Sequence, residues 1–152
     1  MTEVLAPVAG LVRSLSQVPD PVFAAEMVGA GVAIEPEGGM VDAVSPVAGT
    51  VLKLHPHAFV VLTAEGAGIL VHLGIDTNHL AGAGFELLVA EKDAVEAGQP
   101  VTRWDPSDVV ERGLSAIVMV CVLDTKPGAV DSDRLDETVS AGDPLFAWPA
   151  GS

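Results

Sequence analysis

The 152-residue chain has little positive charge, no tyrosine and almost no cysteine. Seven Lys and Arg stand against 21 Asp and Glu, so the formal net charge is −14. Because so acidic a surface repels phosphate backbones and anionic lipids, the charge argues against a nucleic-acid-binding or membrane-surface protein. The single cysteine, Cys121, cannot form an internal disulfide and lies in an apolar run, so we expect a buried, inert thiol.

Long hydrophobic runs are also missing. The longest apolar run, residues 116–123, is far shorter than the roughly 18–20 residues that a membrane-spanning helix needs. The first residues, Met-Thr-Glu-Val, have neither the basic nor the apolar region of a signal peptide. Apolar residues nevertheless make up 49% of the chain, which excludes a disordered acidic protein. We therefore expect a cytoplasmic protein with a single domain, residues 1–152, that is long enough to bury a sizeable core.

Two short sequences recur along the chain. Residues 7–12 read Pro-Val-Ala-Gly-Leu-Val, and residues 46–51, 39 positions later, read Pro-Val-Ala-Gly-Thr-Val. Residues 95–100 and 139–144, which are 44 positions apart, share the pattern Ala-Gly-x-Pro. This pattern is typical of a tight turn, in which Gly supplies a positive φ and Pro opens the next strand. The repeats predict two related β-motifs that pack against each other.

Secondary structure is predicted to be mostly short strands. Runs rich in Val, Leu, Ile and Phe predict strands at 41–44, 50–54, 59–63, 68–73, 100–104 and 145–148, and a central strand buried on both faces at 117–123. A short helix is predicted after Asp105, which can cap it, with Pro106 in the first turn and Gly113 at the end. A second helical turn is expected over 85–88, and turns over 29–31 and 38–39. The predicted fold class is all-β, a sandwich or partly closed barrel with one or two short helices.

Histidine is the main candidate for polar chemistry near neutral pH. Strand alternation in 68–74 places Ile69, Val71 and Leu73 on one face, and His72 beside Leu70 on the other. In an apolar strand, a buried histidine bonded to the backbone is the commoner outcome. The following glycine, Gly74, lets the backbone approach closely, so its carbonyl group could accept from Nδ1–H and leave Nε2 nucleophilic and directed outward.

A second histidine pair leaves two chemistries open. In an extended segment His55, His57 and Phe59 point the same way, so two histidines from different strands could converge on an apolar patch. One chemistry is phosphoryl relay, in which one imidazole attacks phosphorus and the other donates to the phosphoryl oxygens. The other is zinc binding, because His55-x-His57 and His72-x-x-x-Asp76 are plausible ligand spacings. A zinc-dependent hydrolase would also need an acid or base, for which Glu65 is the nearest candidate.

Several motifs then point to a known family. Val-Pro-Asp at 18–20, Phe-Ala at 23–24, His-Ala-Phe at 57–59, Val-His-Leu-Gly-Ile-Asp-Thr at 71–77 and Gly-Phe at 84–85 occur in this order. The set resembles the glucose-type enzyme IIA of the bacterial phosphoenolpyruvate-dependent sugar phosphotransferase system, from about residue 4 to 148. The resemblance implies one such domain over residues 1–152, folded as an antiparallel β-sandwich with duplicated hybrid motifs, in agreement with the repeats.

The function implied by this resemblance is that of a phosphocarrier, a phosphotransferase component that carries phosphate on a histidine. It would accept phosphate from phospho-HPr and pass it to a cysteine of a IIB domain. The IIB domain then phosphorylates a sugar, of the glucose or N-acetylglucosamine class, as the membrane IIC domain imports it. The resemblance implies no cofactor, no nucleic acid, and contact with the membrane only through the IIBC permease.

The resemblance also implies site residues. His72 would be the phosphorylated nucleophile through Nε2, His57 the second histidine that stabilises the phosphoryl group, and Gly74 the carbonyl that orients His72. Asp20 and Asp76 match acidic residues near the site, where they would disfavour an overlong stay of the phosphate. The residues in segments that form the shallow apolar docking face are Val22, Phe23, Met27, Phe59 and Leu70.

This chain departs from the best-known members of the family at one active-site position. His55, followed by Pro56, stands where a threonine is common, and we consider two roles for it: replacing the threonine in the hydrogen-bond relay to His57, or none. Two rival functions are kept beside the phosphocarrier. The first is a zinc-dependent hydrolase on a similar hybrid-motif sandwich. The second is a biotinyl or lipoyl carrier, but Lys53, Lys92 and Lys126 lack the flanking motif that such a carrier needs.

Overall fold

The structure, a computed structural model, describes residues 2–149, so the two ends of the predicted domain, residues 1 and 150–152, lie outside the described residues. The strands in chain order are β1 (Thr2–Leu5), β2 (Gly10–Ser14), β3 (Gly29–Pro36), β4 (Val41–Val44), β5 (Gly49–His55), β6 (Ala58–Leu62), β7 (Gly68–Leu73), β8 (Phe85–Leu87), β9 (Ala94–Val95), β10 (Pro100–Trp104), β11 (Val118–Leu123), β12 (Thr138–Val139) and β13 (Pro144–Trp148). The helices are α1 (Pro21–Ala24) and α2 (Pro106–Glu111), with short 3-10 turns at Leu15–Gln17 and Thr77–Leu80. No helix within residues 2–149 is long and apolar enough to cross a membrane.

The strands pair in three sheets, all antiparallel. The largest has the order β12-β2-β3-β11-β7-β6-β5-β9, the second is β4-β10-β8, and the third is β1-β13. The all-β class and the antiparallel sandwich predicted from the sequence are confirmed. Within the large sheet β7 lies between β6 and β11, which places His72 beside Ala58 on one side and Met119 on the other.

The two sequence repeats form two related halves. The two copies of the first repeat lead into β2 and β5, and the two copies of the second repeat begin at the ends of β12 and β9. Strand β2 pairs with β12, and strand β5 pairs with β9, so each half contains one copy of each repeat. The halves also exchange equivalent hydrogen bonds. The amide of Leu5 donates to the carbonyl of Pro46 at 2.9 Å, and the amide of Val44 donates to the carbonyl of Pro7, also at 2.9 Å. Leu5 and Val44 are 39 positions apart, as are Pro7 and Pro46, so the two bonds are related by an approximate two-fold axis.

Apolar residues cover both faces of the large sheet. The main core contains Trp104, Phe59 and Val71 and lies on one face. A smaller cluster on the other face includes Leu15, Phe23, Ile75, Ile117, Met119 and Cys121. The odd and even residues of β11 divide between the two clusters, so this strand is buried on both faces, as its continuous apolar run predicted.

The two helices begin with the same pair of residues. Asp105 caps α2 by accepting from the amide of Ser107, and Pro106 occupies the first position, as predicted. Asp20 and Pro21 repeat this arrangement at α1, where the Asp20 carboxylate accepts from the amides of Val22 and Phe23 at 2.9 and 3.2 Å. The α1 helix was not predicted, although Asp-Pro is the signal that identified α2.

Two local predictions were wrong. Residues 85–88 do not form a helical turn, because Phe85–Leu87 pairs with β10 as strand β8. Residues 29–31 are not a turn but the first residues of β3, which pairs with β11. The glycine at 31 is explained by packing, because a Cβ there would overlap the carbonyl oxygen of Val120 on β11. A glycine in a strand therefore marks close approach of a neighbouring backbone here rather than a bend.

Candidate functional site

The structure brings two of the four histidines together. The rings of His57 and His72 lie edge to face, with centroids 5.2 Å apart and an interplanar angle of 68°. His72 is in β7, and His57 lies in the turn just before β6, where its carbonyl accepts from the amide of Leu73 at 2.7 Å. Pairing of β6 with β7 therefore sets the separation of the two rings.

One hydrogen bond determines the tautomer of His72. Nδ1 of His72 lies 2.6 Å from the carbonyl oxygen of Gly74. Because a carbonyl oxygen only accepts, the proton must reside on Nδ1, and Nε2 is left with a free lone pair. This is the arrangement that a nucleophilic imidazole requires.

The Gly74 carbonyl is itself held rigidly. The Gly74 amide donates to the carbonyl of Ile117 at 3.0 Å, and its φ of +84° lies in the region that favours glycine. A Cβ at this position would come within 2.6 Å of Cγ2 of Thr77 and 2.8 Å of the Ser115 carbonyl oxygen. The Thr77 hydroxyl donates to the carbonyl of Leu73 at 2.7 Å. Thr77, Ser115 and Ile117 were not predicted to support the site, and of these only Thr77 lies in one of the motifs that carry the family resemblance.

Burial lowers the pKa of His72 below 6.5, although the Gly74 hydrogen bond and then the carboxylates of Asp20 and Asp76 act in the opposite direction. The pKa of His57 is lowered as well, first by burial and then by the neighbouring charges of His72 and His55. Both rings are therefore neutral near pH 7. A neutral His72 keeps the free lone pair on Nε2 that nucleophilic attack needs.

Two carboxylates, Asp20 and Asp76, act on the charge of the His72 imidazole, and within residues 2–149 only Asp20 of the two is held by hydrogen bonds to the backbone. Asp20 is fixed as the cap of α1, so its charge stays close to the imidazole. Asp76 is exposed, has a φ of +60°, and precedes the 3-10 turn Thr77–Leu80. Both carboxylates raise the pKa of His72 against the effect of burial, and their predicted influence on the phosphate stays a prediction.

Apolar side chains lie beside His72. The ring of Phe23 meets His72 edge to face with centroids 5.3 Å apart, but Phe23 itself is only 9% exposed. Val22 and Met27 flank it and are 45% and 74% exposed. Leu70 is half-buried on the same strand face as His72. Phe23 and Leu70 thus lie beside His72, and Val22 and Met27 extend the apolar surface next to Phe23.

Phe59 does not belong to this surface, and the prediction that it takes part in docking was wrong. It is 1% exposed and packs in the main core, opposite Val71 on β7. The docking role was implied by the resemblance, and the separate expectation that His55, His57 and Phe59 point the same way in an extended segment is also wrong. His55 and Ala58 instead pair across a two-residue turn, and this turn interrupts the alternation that would have placed Phe59 beside His57.

The exposed ring of His55 stacks on His57 with centroids 5.8 Å apart and an interplanar angle of 22°. His79 is exposed in the 3-10 turn Thr77–Leu80. Glu65, the acid or base considered for a hydrolase, is exposed and accepts from the hydroxyl of Thr2 at 3.3 Å. Across residues 2–149 no group of three or more His, Cys, Asp or Glu side chains is placed to hold a metal ion.

Fold and site together define a class of protein: a duplicated antiparallel β-sandwich that presents one histidine with a fixed tautomer and a second histidine beside it. Comparison with known families gives a match over residues 2–127 to the family described as "phosphoenolpyruvate-dependent sugar phosphotransferase system, EIIA 1". The chain belongs to this family, which confirms the resemblance found in the sequence. The comparisons give no support to a zinc-dependent hydrolase.

Individual relatives agree with this assignment. The chain is 48% identical over 107 residues to the N-acetylglucosamine-specific EIICBA component of Escherichia coli K12, covering 69% of this chain and 16% of that protein. It is 40% identical over 124 residues to the glucose-specific EIIA component of Bacillus cereus, covering 80% of this chain and 74% of that protein. The solved structure of glucose permease IIA from Mycoplasma capricolum matches with a TM-score of 0.83 and 33% identity, covering 95% of this chain and 93% of that one.

Proposed function

We propose that this protein is a phosphocarrier that accepts a phosphoryl group from phospho-HPr on Nε2 of His72 and donates it to a cysteine of a IIB domain. The observation that carries the proposal is the 2.6 Å contact between Nδ1 of His72 and the Gly74 carbonyl, which leaves the lone pair of Nε2 free on a half-buried ring. Membership of the EIIA 1 family supports the phosphotransfer role. In this role the protein works in the cytoplasm as one domain, residues 1–152.

Phosphoryl transfer requires little from the protein beyond holding the reacting atoms in line. The lone pair on Nε2 of His72 attacks phosphorus in line, and the bond between phosphorus and the donor nitrogen breaks as the new nitrogen–phosphorus bond forms. The donor imidazole leaves with the electron pair of the broken bond. In the second step the thiolate of the IIB cysteine attacks the same phosphorus, and His72 returns to the neutral tautomer held by Gly74. Atoms and charge balance without a cofactor.

His57 supports the phosphoryl group in this proposal. Its ring lies 5.2 Å from that of His72, so an N–H of His57 can donate to a phosphoryl oxygen while the group is on Nε2. His55 stacks on His57 and would fix the orientation of that ring. Asp20 and Asp76 would act against a long residence of the phosphate, because their negative charges face a group that carries negative charge itself.

The apolar surface formed by Val22, Met27, Leu70 and the edge of Phe23 would receive both protein partners in turn. A shallow surface suits this purpose because two successive partners must reach the same phosphorus atom. Removing water from around the phosphoryl group during contact strengthens the fixed hydrogen bonds and limits hydrolysis. The net charge of −14 would steer a basic partner toward this protein.

The sugar that the system imports is proposed only as a class. Relatives of this chain are named as glucose-specific and as N-acetylglucosamine-specific components, so we propose one of these two sugars for the IIBC partner. The chain spans 16% of the length of the Escherichia coli relative and 74% of that of the Bacillus cereus relative.

The proposal is tested by transfer of radiolabelled phosphate from phosphoenolpyruvate through purified enzyme I and HPr. The wild-type protein should take up one acid-labile phosphate, and His72→Ala should take up none. His57→Gln should be labelled but should pass the phosphate poorly to IIB. His79→Ala, which removes an exposed histidine of the neighbouring turn, is the control and should behave as wild type. Normal labelling of His72→Ala would refute the assignment of the nucleophile.

The docking surface can be tested with two methionines. Met27→Glu should slow transfer from phospho-HPr and to IIB, because it places a charge on the surface that must be desolvated. Met40→Glu is the matched control, since Met40 is 64% exposed and lies outside this surface. Both variants should keep the far-UV circular dichroism of the wild type. Equal transfer rates for the two variants would contradict the docking role of Met27.

A further inference from the structure

The two related halves of the fold differ at one strand edge. In the first half, β10 lies between β4 and β8. Its counterpart in the second half is β13, 44 positions later, and β13 pairs with β1 alone among the strands of residues 2–149. One edge of β13 is therefore open where the same edge of β10 is covered by a strand of the chain itself.

The residues that would cover the edge are present but do not pair with it. Shifting β8 by 44 positions gives residues 129–131, which follow a turn without entering a sheet. In the first half the amide of Leu88 donates to the carbonyl of Val101 at 2.8 Å. In the second half the corresponding bond comes from a side chain, since the hydroxyl of Ser132 donates to the carbonyl of Leu145 at 2.6 Å. The Leu145 carbonyl at this edge of β13 therefore has a hydrogen-bond partner, and the part of β13 that follows Leu145 has no partner strand on this edge within residues 2–149.

Alternation identifies the free backbone groups of β13. The Leu145 carbonyl points away from β1, and groups two residues apart on a strand face the same edge. The N–H and C=O of Ala147 therefore face the open edge. The corresponding residue in the first half, Arg103, faces β8 and pairs with Glu86. An extended strand bound to the open edge of β13 would therefore reproduce the pairing of β8 with β10 in the first half.

A negatively charged cavity lies along this edge. It measures about 440 Å³ and is lined by Pro144–Ala147 of β13, by Glu3 of β1 and by residues 131, 133 and 134 of the facing segment. The size falls in the range of ordinary ligand sites. Glu3, Asp131 and Asp133 form no salt bridge within residues 2–149, whereas Arg134 is paired with Glu137 at 3.5 Å. The cavity therefore carries an excess of negative charge.

We propose that the open edge of β13 binds an extended, cationic segment of a partner protein as an added antiparallel strand. Main-chain hydrogen bonds at Ala147 would supply the attachment, as in other cases of strand addition. The uncompensated carboxylates of Glu3, Asp131 and Asp133 would select lysine- or arginine-rich segments. The site lies apart from the histidine pair, because Leu145 and Phe146 of β13 belong to the main core on the opposite face of the large sheet.

A second copy of this chain is the alternative occupant, and charge argues against it. Pairing two β13 edges would bring together the carboxylates that line both cavities, in molecules that each carry a net charge of −14. Like charges brought together in this way are destabilising. Unpaired strand edges invite such contacts, and inward-facing charge is a common way to prevent them.

The test uses the full chain and a blocked six-residue peptide of alternating lysine and valine, with alternating glutamate and valine as the matched control. Binding is followed by NMR, through shifts and hydrogen exchange of the Ala147 amide. We expect the cationic peptide to slow exchange at Ala147 at least tenfold and to bind more weakly as salt rises, and the acidic peptide to have no effect. Labelling of His72 from phosphoenolpyruvate should be unchanged, so this test is independent of the proposed function.

Two variants separate backbone pairing from charge. Ala147→Pro removes the edge N–H, which an open edge tolerates, and should weaken peptide binding about tenfold. Arg103→Pro is its counterpart at the covered edge and should destabilise the fold more, because it breaks pairing with β8. The double variant Asp131→Asn with Asp133→Asn keeps the edge and should weaken binding of the cationic peptide about tenfold.

Three results would overturn the proposal. The first is equal binding of the cationic and acidic peptides, or binding of neither. The second is a slowly exchanging Ala147 amide in the free monomer, which would mean that residues 129–131 already cover the edge. The third is a dimer in light scattering that dissociates in Ala147→Pro, which would assign the edge to a second copy of the chain.

Discussion

Replacing Gly74 by alanine tests the rigid turn that holds the His72 tautomer. The φ of +84° costs a residue with a Cβ about 1–2 kcal/mol. The new Cβ would also lie 2.6 Å from Cγ2 of Thr77 and 2.8 Å from the Ser115 carbonyl oxygen. Relieving these contacts requires the backbone to move, at a cost of about 1–3 kcal/mol. The expected loss in the free energy of unfolding is therefore about 2–5 kcal/mol.

Gly66→Ala is a matched control for the backbone term. Gly66 has a φ of +91°, and a Cβ there would meet no atom within 4 Å. This variant should lose only the conformational part, about 1–2 kcal/mol. Subtracting the two losses isolates the cost of contact with Thr77 and Ser115, which we expect to be about 1–3 kcal/mol.

Urea unfolding measures the two losses, and ¹⁵N NMR of the imidazole reports the His72 tautomer. Gly74→Ala should move the carbonyl that accepts from Nδ1, so the proton should divide between Nδ1 and Nε2 and labelling from phospho-HPr should slow. Gly66→Ala should keep the wild-type tautomer and labelling rate. Equal stability of the two variants, or an unchanged tautomer in Gly74→Ala, would refute the reasoning about this turn.

Three further predictions concern ionisation. The pKa values of His57 and His72 lie below 6.5 in the folded protein, so below about pH 6.5 the unfolded chain binds more protons than the folded one. The free energy of unfolding should therefore be highest above that pH and decrease below it. Urea unfolding at several pH values should show a smaller decrease in His57→Gln and in His72→Gln. Burial raises the pKa of the Cys121 thiol to about 12, so a thiol reagent at pH 8 should modify Cys121 only after unfolding. Modification of Cys121 in the folded protein would contradict the burial of this residue. Asp20→Asn keeps an oxygen to cap α1 but removes a charge, so NMR titration should show a lower pKa for His72. Asp20→Ala should lower this pKa as well and should also lose about 0.5–2 kcal/mol of stability. An unchanged pKa of His72 in Asp20→Asn would exclude the electrostatic role of Asp20.

Much of the fold could be predicted because its signals are local. Strands β4, β7 and β10 were predicted with the observed bounds, since alternating or continuous apolar residues end there at Gly, Pro or Asp. The repeats predicted the duplication. Strand β8 was missed because its pairing with β10 is a tertiary contact that three residues cannot signal by themselves. The Gly-Ala-Gly sequence that opens β3 is typical of a turn, and the close approach of β11 leaves no trace in the local pattern.

The histidine pair could be predicted in outline, but not its surroundings. The strand period placed His72 opposite the core, and the glycine two residues later suggested the partner of Nδ1. The burial of Phe59 was missed because one tight turn, between His55 and Ala58, changes the face on which every later residue lies. The support of Gly74 by Ser115 and Ile117 depends on residues some 40 positions away, and no pattern in the sequence joins them.

The central claim is that phosphate is carried on one nitrogen of one residue, Nε2 of His72. The most direct measurement is combined ¹⁵N and ³¹P NMR of the ¹⁵N-labelled protein after phosphorylation from phosphoenolpyruvate through enzyme I and HPr. We predict a single phosphohistidine in which phosphorus couples to Nε2 of His72 while Nδ1 keeps its proton toward Gly74. Phosphorus on Nδ1 of His72, or on His55 or His57, would contradict the account.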